Sequence, residues 1–240
     1  MQQGVDEWMP KHFDDSLDHP AVTSAASYRI VQDFEPTRGL PWPFNGHGNR
    51  FIVYVAESLP GLLEWIDSPI LREAIDDGQG RETAYPFLDG DQFTGNIYSV
   101  STVLQMINED FPGETCFIAE RFQVGDADLV EFDNWLDRHY APQWLEVPDL
   151  IRVRTYRQEL DLPPRFPYTR YRSKGNRMLF AELPQATDLP ALIRSSTLHS
   201  LLSQSLTWDL RLPYVRRECG INIALRDKDD ARATYEARRQ

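Results

Sequence analysis

Apolar and polar residues alternate through the second half of the chain with the period of two that marks a half-buried strand. Within Leu150–Leu160, Ile151, Val153 and Thr155 alternate with Arg152, Arg154 and Tyr156, and the runs Cys116–Val124, Arg177–Leu183 and Tyr214–Leu225 read as three further strands. Between them the period lengthens. Leu129, Phe132, Leu136 and His139 share one helical face behind a capping Asp126 or Asp128, and Leu192, Ile193, Leu198, Leu201 and Leu202 mark a second helix over Leu189–Leu206. The order βαββαβ predicts a ferredoxin-like unit, with two helices on one face of a four-stranded antiparallel sheet. First and last strands are neighbours in that topology, so Cys116 and Cys219 should lie close.

The first half carries a fainter copy of the same pattern. Asp6-Glu7-Trp8-Met9-Pro10-Lys11-His12-Phe13 recurs 127 residues later as Asp133-Asn134-Trp135-Leu136-Asp137-Arg138-His139-Tyr140. With small gaps, Tyr28-Arg29 then falls on Tyr156-Arg157, Gly48-Asn49-Arg50 on Gly175-Asn176-Arg177, and Leu59-Pro60-Gly61-Leu62-Leu63 on Leu189-Pro190-Ala191-Leu192-Ile193. Shared residues in a shared order predict a duplication divided near Phe111-Pro112-Gly113. The units are residues 1–112, 113–226 and a charged tail, 227–240, expected to be a solvated helix or frayed end. Only Met1–Gly4 precede the first helix of the first unit, so its opening strand is missing, as in a truncated start, and seven strands are expected. One four-stranded sheet with helices on one side leaves its other face apolar and wet; a second copy would cover it. The expected fold is therefore α+β: two ferredoxin-like repeats packed sheet to sheet as an α/β barrel within one chain.

Charge narrows the partners. The 37 Asp and Glu residues exceed the 25 Lys and Arg by enough for a net charge of −12, which repels nucleic-acid phosphates and anionic lipid. The longest apolar run, Phe51–Ala56, is far below the roughly 20 residues that cross a bilayer, and the opening residues lack a secretory signal, so a cytoplasmic location is expected. With two cysteines and no CxxC spacing, reduced core thiols are expected rather than a disulfide framework.

The segment from Phe132 to Arg157, with Trp135 and His139 on its helix, Pro148 after it and a strand ending Tyr156-Arg157, resembles the dimeric α/β-barrel superfamily, particularly EthD-like proteins. Asp6–Arg29 is a weaker copy, and the resemblance spans nearly all of residues 5–226. It implies two ferredoxin-like units packed sheet against sheet, with a pocket between sheet and helices. It says little about chemistry, since the superfamily holds cofactorless mono-oxygenases, isomerases, cyclases, haem enzymes and proteins without known activity.

His139 and His12, each on the apolar face of its helix, would then point into such a pocket, where a near-neutral imidazole can take a proton from an acidic carbon or hydroxyl. The plainer alternative is a buried histidine that locks helix to sheet. Arg157 and Arg29 could hold a substrate carboxylate, or form surface ion pairs. Trp135, Tyr140, Trp8 and Phe13 could line a slot for a flat ring, or be core. Gly46–Arg50 and Lys174–Arg177 lack the helix and Lys-Ser/Thr of a phosphate loop and read as hairpin turns. Asp89-Gly90-Asp91 and the His12, Asp14, Asp15, Asp18, His19 group have no metal-ligand spacing, so no metal site is expected. No GxSxG or Cys-base pairing suggests a covalent nucleophile. The expected activity is cofactor-independent acid–base chemistry on a small aromatic, polyketide-like or lactone compound. The alternatives are a non-catalytic ligand-binding or structural tandem barrel and a haem-binding one. Either a monomer with an internal pseudo-dimer or a homodimer is compatible.

Overall fold

The computed structural model of the protein describes residues 12–31, 50–73, 96–105, 115–159 and 174–227. Seven strands form one sheet: β1 (Val22–Ile30), β2 (Arg50–Ala56), β3 (Tyr98–Gln105), β4 (Thr115–Gln123), β5 (Arg152–Gln158), β6 (Arg177–Pro184) and β7 (Tyr214–Asp227). Their order is β2-β1-β7-β4-β6-β5-β3, and every neighbouring pair is antiparallel. Within it, β7-β4-β6-β5 is the arrangement expected of a ferredoxin-like unit, with first and last strands adjacent. Register places Ile118 opposite Cys219 and Cys116 opposite Ile221, so the two thiols are diagonal neighbours, free and buried.

The sheet is curled. Phe51 on β2 and Phe180 on β6 lie four strands apart, which in a flat sheet is about 19 Å at roughly 4.8 Å per strand. Their ring centroids are 5.8 Å apart. The face carrying these rings is therefore concave, and Ala26, Tyr28, Ile30, Phe117, Ala119 and Phe180 form its core. Gly220 makes room for it: a Cβ there would stand 2.6 Å from the Phe117 ring.

The convex face is covered by short helices. Over β1 and β2 lie α1 (residues 12–17), α2 (Leu59–Ile66) and α3 (residues 69–73), sealing Phe13, Leu17, Val22, Trp65 and Leu71. Over β4–β7 lie α4 (Leu129–Trp135), α5 (Ala141–Gln143), α6 (Leu189–Ile193), α7 (Ser196–Ser203) and α8 (Leu206–Asp209), enclosing the largest core. Two helical expectations need correction. The stretch Leu189–Leu206 is three helices rather than one, because serines interrupt it: Ser195 accepts from the Leu198 amide and restarts the helix as α7, and the Ser205 hydroxyl donates back to the Leu202 carbonyl. Between α4 and α5, Leu136–Tyr140 forms a π-helical turn, which adds a residue to the turn and changes which side chains face the sheet.

Lys174 to Asn176 bend into β6, but β5 ends at Gln158, so they end a long connection rather than form the hairpin turn expected. Gly175 has φ 116°, and the Asn176 side chain both accepts from the Val124 amide (2.9 Å) and donates to its carbonyl (2.8 Å), clamping the end of β4. No helix among the described residues is long and apolar enough to cross a membrane. Trp8, residues 46–49, Asp89-Gly90-Asp91 and the tail beyond 227 lie outside the described residues.

Candidate functional site

On β4 the convex-facing residues are Cys116, Ile118, Glu120 and Phe122; on β7 they are Val215, Arg217, Cys219 and Ile221. Glu120 and Arg217 are direct cross-strand partners, so two charges meet in the middle of an apolar layer. Neither reaches water: Glu120 is 0% and Arg217 3% exposed. Arg217 Nε donates to Glu120 Oε2 at 2.6 Å, while its Nη2 reaches Ser205 Oγ at 2.7 Å and Asp209 Oδ2 at 2.9 Å on the α8 side. From above, the π turn lowers Tyr140 onto the same carboxylate, its hydroxyl donating to Glu120 Oε1 at 2.6 Å. Every charge in the set is thus hydrogen-bonded, the condition under which buried ions are tolerated.

Burial raises the Glu120 pKa from its ordinary value, against the pull of Arg217 and the Tyr140 hydrogen bond. Burial and then the Glu120 charge push the Tyr140 hydroxyl well up, so it stays a proton donor. Arg217 loses some basicity to burial, but Glu120 and Asp209 outweigh that and raise it further. The arrangement is a carboxylate biased towards accepting a proton, beside a phenol that holds its own and a fixed cation.

Trp135 roofs this set. Its half-buried indole stacks on the Tyr140 ring at 4.6 Å and 16°, with Phe122, Phe132 and Trp208 around it. Two of the residues singled out from sequence, Trp135 and Tyr140, are therefore together. His139 is not with them. The π turn gives the inward position to Tyr140, so Phe132, Leu136 and Tyr140 face the sheet and His139 is exposed, contrary to the expectation that its imidazole points inward. Arg157 is half exposed at the rim and pairs with Asp137 (3.1 Å) and Asp133 (3.4 Å), the ion-pair alternative. Those aspartates also bind Arg177, Thr155 and Ser101, stitching α4 and the π turn to β3, β5 and β6.

In the first half, His12 is buried, as expected of that face, with its ring 6.1 Å from Tyr54 and 6.3 Å from Phe13. Phe13 is fully buried edge-on to Tyr54. Arg29 is exposed on β1, opposite Arg50 and Ile221. A cleft of about 200 Å³ between α5 and α7 is lined by Gln143, Glu146, Thr197, Ser200, Leu201 and Gln204, and Glu146 is its one ionisable lining residue.

Glu120, Arg217, Asp209 and Ser205 are absent from the sequence-derived candidates. A signal existed for two of them, since alternation puts Glu120 in phase with Ile118 and Phe122, and Arg217 in phase with Val215 and Cys219. A charge at an apolar-phase position is the mark of a buried polar site.

Neither a family model nor a curated protein matches this chain. Among solved structures it is similar to an anthrone oxidase-like protein, at 11% identity over 95% of this chain and 87% of that one, with a TM-score of 0.58. It is also similar to a candidate monooxygenase from Fusobacterium nucleatum, at 9% identity over 94% and 88%, with a TM-score of 0.54. At those identities the likeness establishes the shared α+β fold. An EthD-family protein from Bacillus halodurans aligns at 17% identity with 43% of this chain and 95% of its own, with a TM-score of 0.32.

Proposed function

We propose that the protein takes up a small planar aromatic, polyketide-like or lactone compound against the sheet–helix interface of its second half and moves a proton on it without a cofactor, as a lyase, isomerase or cyclase, or as a mono-oxygenase in which dissolved dioxygen is the oxidant of the deprotonated substrate and is itself reduced. The observation that carries this reading is the Tyr140–Glu120–Arg217 set beneath Trp135. Glu120, with its pKa raised by burial, accepts a proton from an acidic carbon or hydroxyl. Once Glu120 is protonated, the Tyr140 hydroxyl that donated to it turns to donate to the oxyanion that develops, and Arg217 balances the charge. A flat ring enters by displacing the Trp135 indole from its stack on Tyr140, exchanging one aromatic contact for another. His139, in solvent, and His12, packed against Tyr54, are not the base in this reading; Arg157 stands at the rim, where a substrate carboxylate could compete with Asp137.

Two further features belong to the proposal. The halves arose by duplication, which is supported by β1 beside β2 matching β5 beside β6, and by the capped, proline-containing starts of α2 at Ser58 and α6 at Asp188. The neighbour described as anthrone oxidase-like makes an anthrone, with its acidic methylene between aromatic rings, the first compound to try. Wild type should bind it with a change in tryptophan fluorescence and consume it, as followed by absorbance. Glu120→Gln should still bind but turn over about 10²–10⁴-fold more slowly, the range expected for loss of a general base.

One observation favours a non-catalytic tandem barrel instead: Glu120 and Tyr140 are both 0% exposed. Unchanged fluorescence and unconsumed anthrone would support that reading and overturn the proposal. A Soret shift on adding haem to the same sample would favour the haem-binding alternative.

A further inference from the structure

The Arg217 guanidinium serves two carboxylates, and they stand in different surroundings. On its inner side Nε donates to Glu120 Oε2 at 2.6 Å; on its outer side Nη2 donates to Asp209 Oδ2 at 2.9 Å and to Oδ1 at 3.2 Å. The Glu120 side chain is 0% exposed and that of Asp209 16%, so the outer partner touches water and the inner one does not. One cation between two anions leaves a negative charge in excess while both carboxyls are ionised. A proton on either removes it, and the carboxyl without water gains more from being neutral.

The groups around Glu120 make Asp209 the source of that excess. Arg217 faces Glu120 from β7, Tyr140 from the π turn, and Asp209 stands behind Arg217 at the end of α8, while Leu179, opposite Glu120 on β6, is apolar and fully buried. Ser205 is neutral, accepting from Arg217 at 2.7 Å and donating to the Leu202 carbonyl at 2.8 Å. Burial does most to raise the Glu120 pKa, Arg217 and Tyr140 work against it, and the Asp209 charge adds to the rise. A residue needed only to brace Arg217 could be any acceptor of the same shape.

We propose that Asp209 is a positioning residue for the proton transfer: by holding the outer edge of the Arg217 guanidinium it denies Glu120 an undivided counter-ion and keeps the buried carboxyl ready to accept a proton. This role rests on the proton-transfer reading above and adds to it a residue that acts on Glu120 through Arg217.

Asp209→Asn separates charge from bracing, since the amide oxygen still accepts from Arg217. The proton on Glu120 is read without substrate from the 13C signal of its carboxyl, identified as the one missing in Glu120→Gln. Its pH midpoint in wild type should lie above the ordinary glutamate value. Asp209→Asn should lower it by about 1–2 pH units, as for loss of a like charge within about 6 Å, and Asp209→Glu should keep it near wild type. An unchanged or higher midpoint in Asp209→Asn overturns the proposal. Should that variant fail to fold, wild type decides: carboxyls that share one cation titrate together, so the Asp209 carboxyl signal should move through the pH range in which Glu120 takes its proton. An Asp209 signal that stays still there rejects the proposal. Where anthrone is consumed, the acid limb of the pH–rate profile should move to lower pH in Asp209→Asn by the same amount. A lowered midpoint with no consumption of anthrone by wild type would retire the proton-transfer reading and leave the effect of Asp209 on Glu120 standing.

Discussion

Residues 139 and 140 are adjacent in sequence and opposite in environment. Among the described residues, the Tyr140 hydroxyl and Arg217 are the groups satisfying the buried Glu120 carboxylate, so Tyr140→Phe leaves one of that carboxylate's oxygens short of its donor in a dry site. Removing one member of a buried hydrogen-bonded pair costs about 1–3 kcal/mol. Urea unfolding should show that loss for Tyr140→Phe, while the exposed His139→Ala should stay within about 0.5 kcal/mol of wild type. The sequence favours histidine as the base because its free pKa lies near neutrality. Here burial raises the pKa of a glutamate and biases it towards the same role. Alternation along β4 and β7 shows that Glu120 and Arg217 point inward, but their being opposite each other depends on strand register, which no local pattern reveals.

The strands were legible because period two survives the mixture of charged and apolar residues, as in β5, where Val153 and Thr155 are buried and their neighbours are not. Helices were less so. One residue added to a turn leaves composition and hydrophobic spacing almost unchanged, so Leu136–Tyr140 looks like ordinary α-helix until its backbone is seen. Breaks between α6, α7 and α8 fall at serines, which caps and helix interiors both contain. The α7 start gives a direct test. Ser195→Ala removes the acceptor of the Leu198 amide and should cost about 1 kcal/mol, read as a lower urea midpoint with unchanged slope. A similar loss is expected for Asp188→Ala at α6, where the carboxylate accepts from Ala191 at 3.0 Å. Neither change touches Glu120, so both variants should retain whatever binding wild type shows.

Across the whole molecule, burial gives the phenols and thiols a common bias. Tyr28, Tyr98, Tyr140 and Tyr156 are all raised above 10.0, desolvation being the largest cause for each. Burial also pushes the Cys116 thiol up to about 11 from 9.0, and Cys219 still further. Groups with raised pKa values in the folded state contribute full stability below their unfolded values and lose it as pH rises through the folded ones. From these phenols and thiols the melting midpoint should therefore fall progressively from about pH 9 upward, as measured by circular dichroism. At pH 8 both thiols should react slowly with a chromogenic disulfide while folded and completely in denaturant.

The long β7 strand is shared between two partners: Tyr214–Ile221 pairs with β4, and Gly220–Asp227 pairs with β1. The last of the described strands thus lies in the interior of the sheet, and among the described strands it is the one that joins β1 and β2 to the other four. Until it leaves the ribosome, the nascent chain holds two separate sheet fragments, each exposing an edge. A stop codon placed before Tyr214 would sever the joint, leaving two pieces for the cell's proteases.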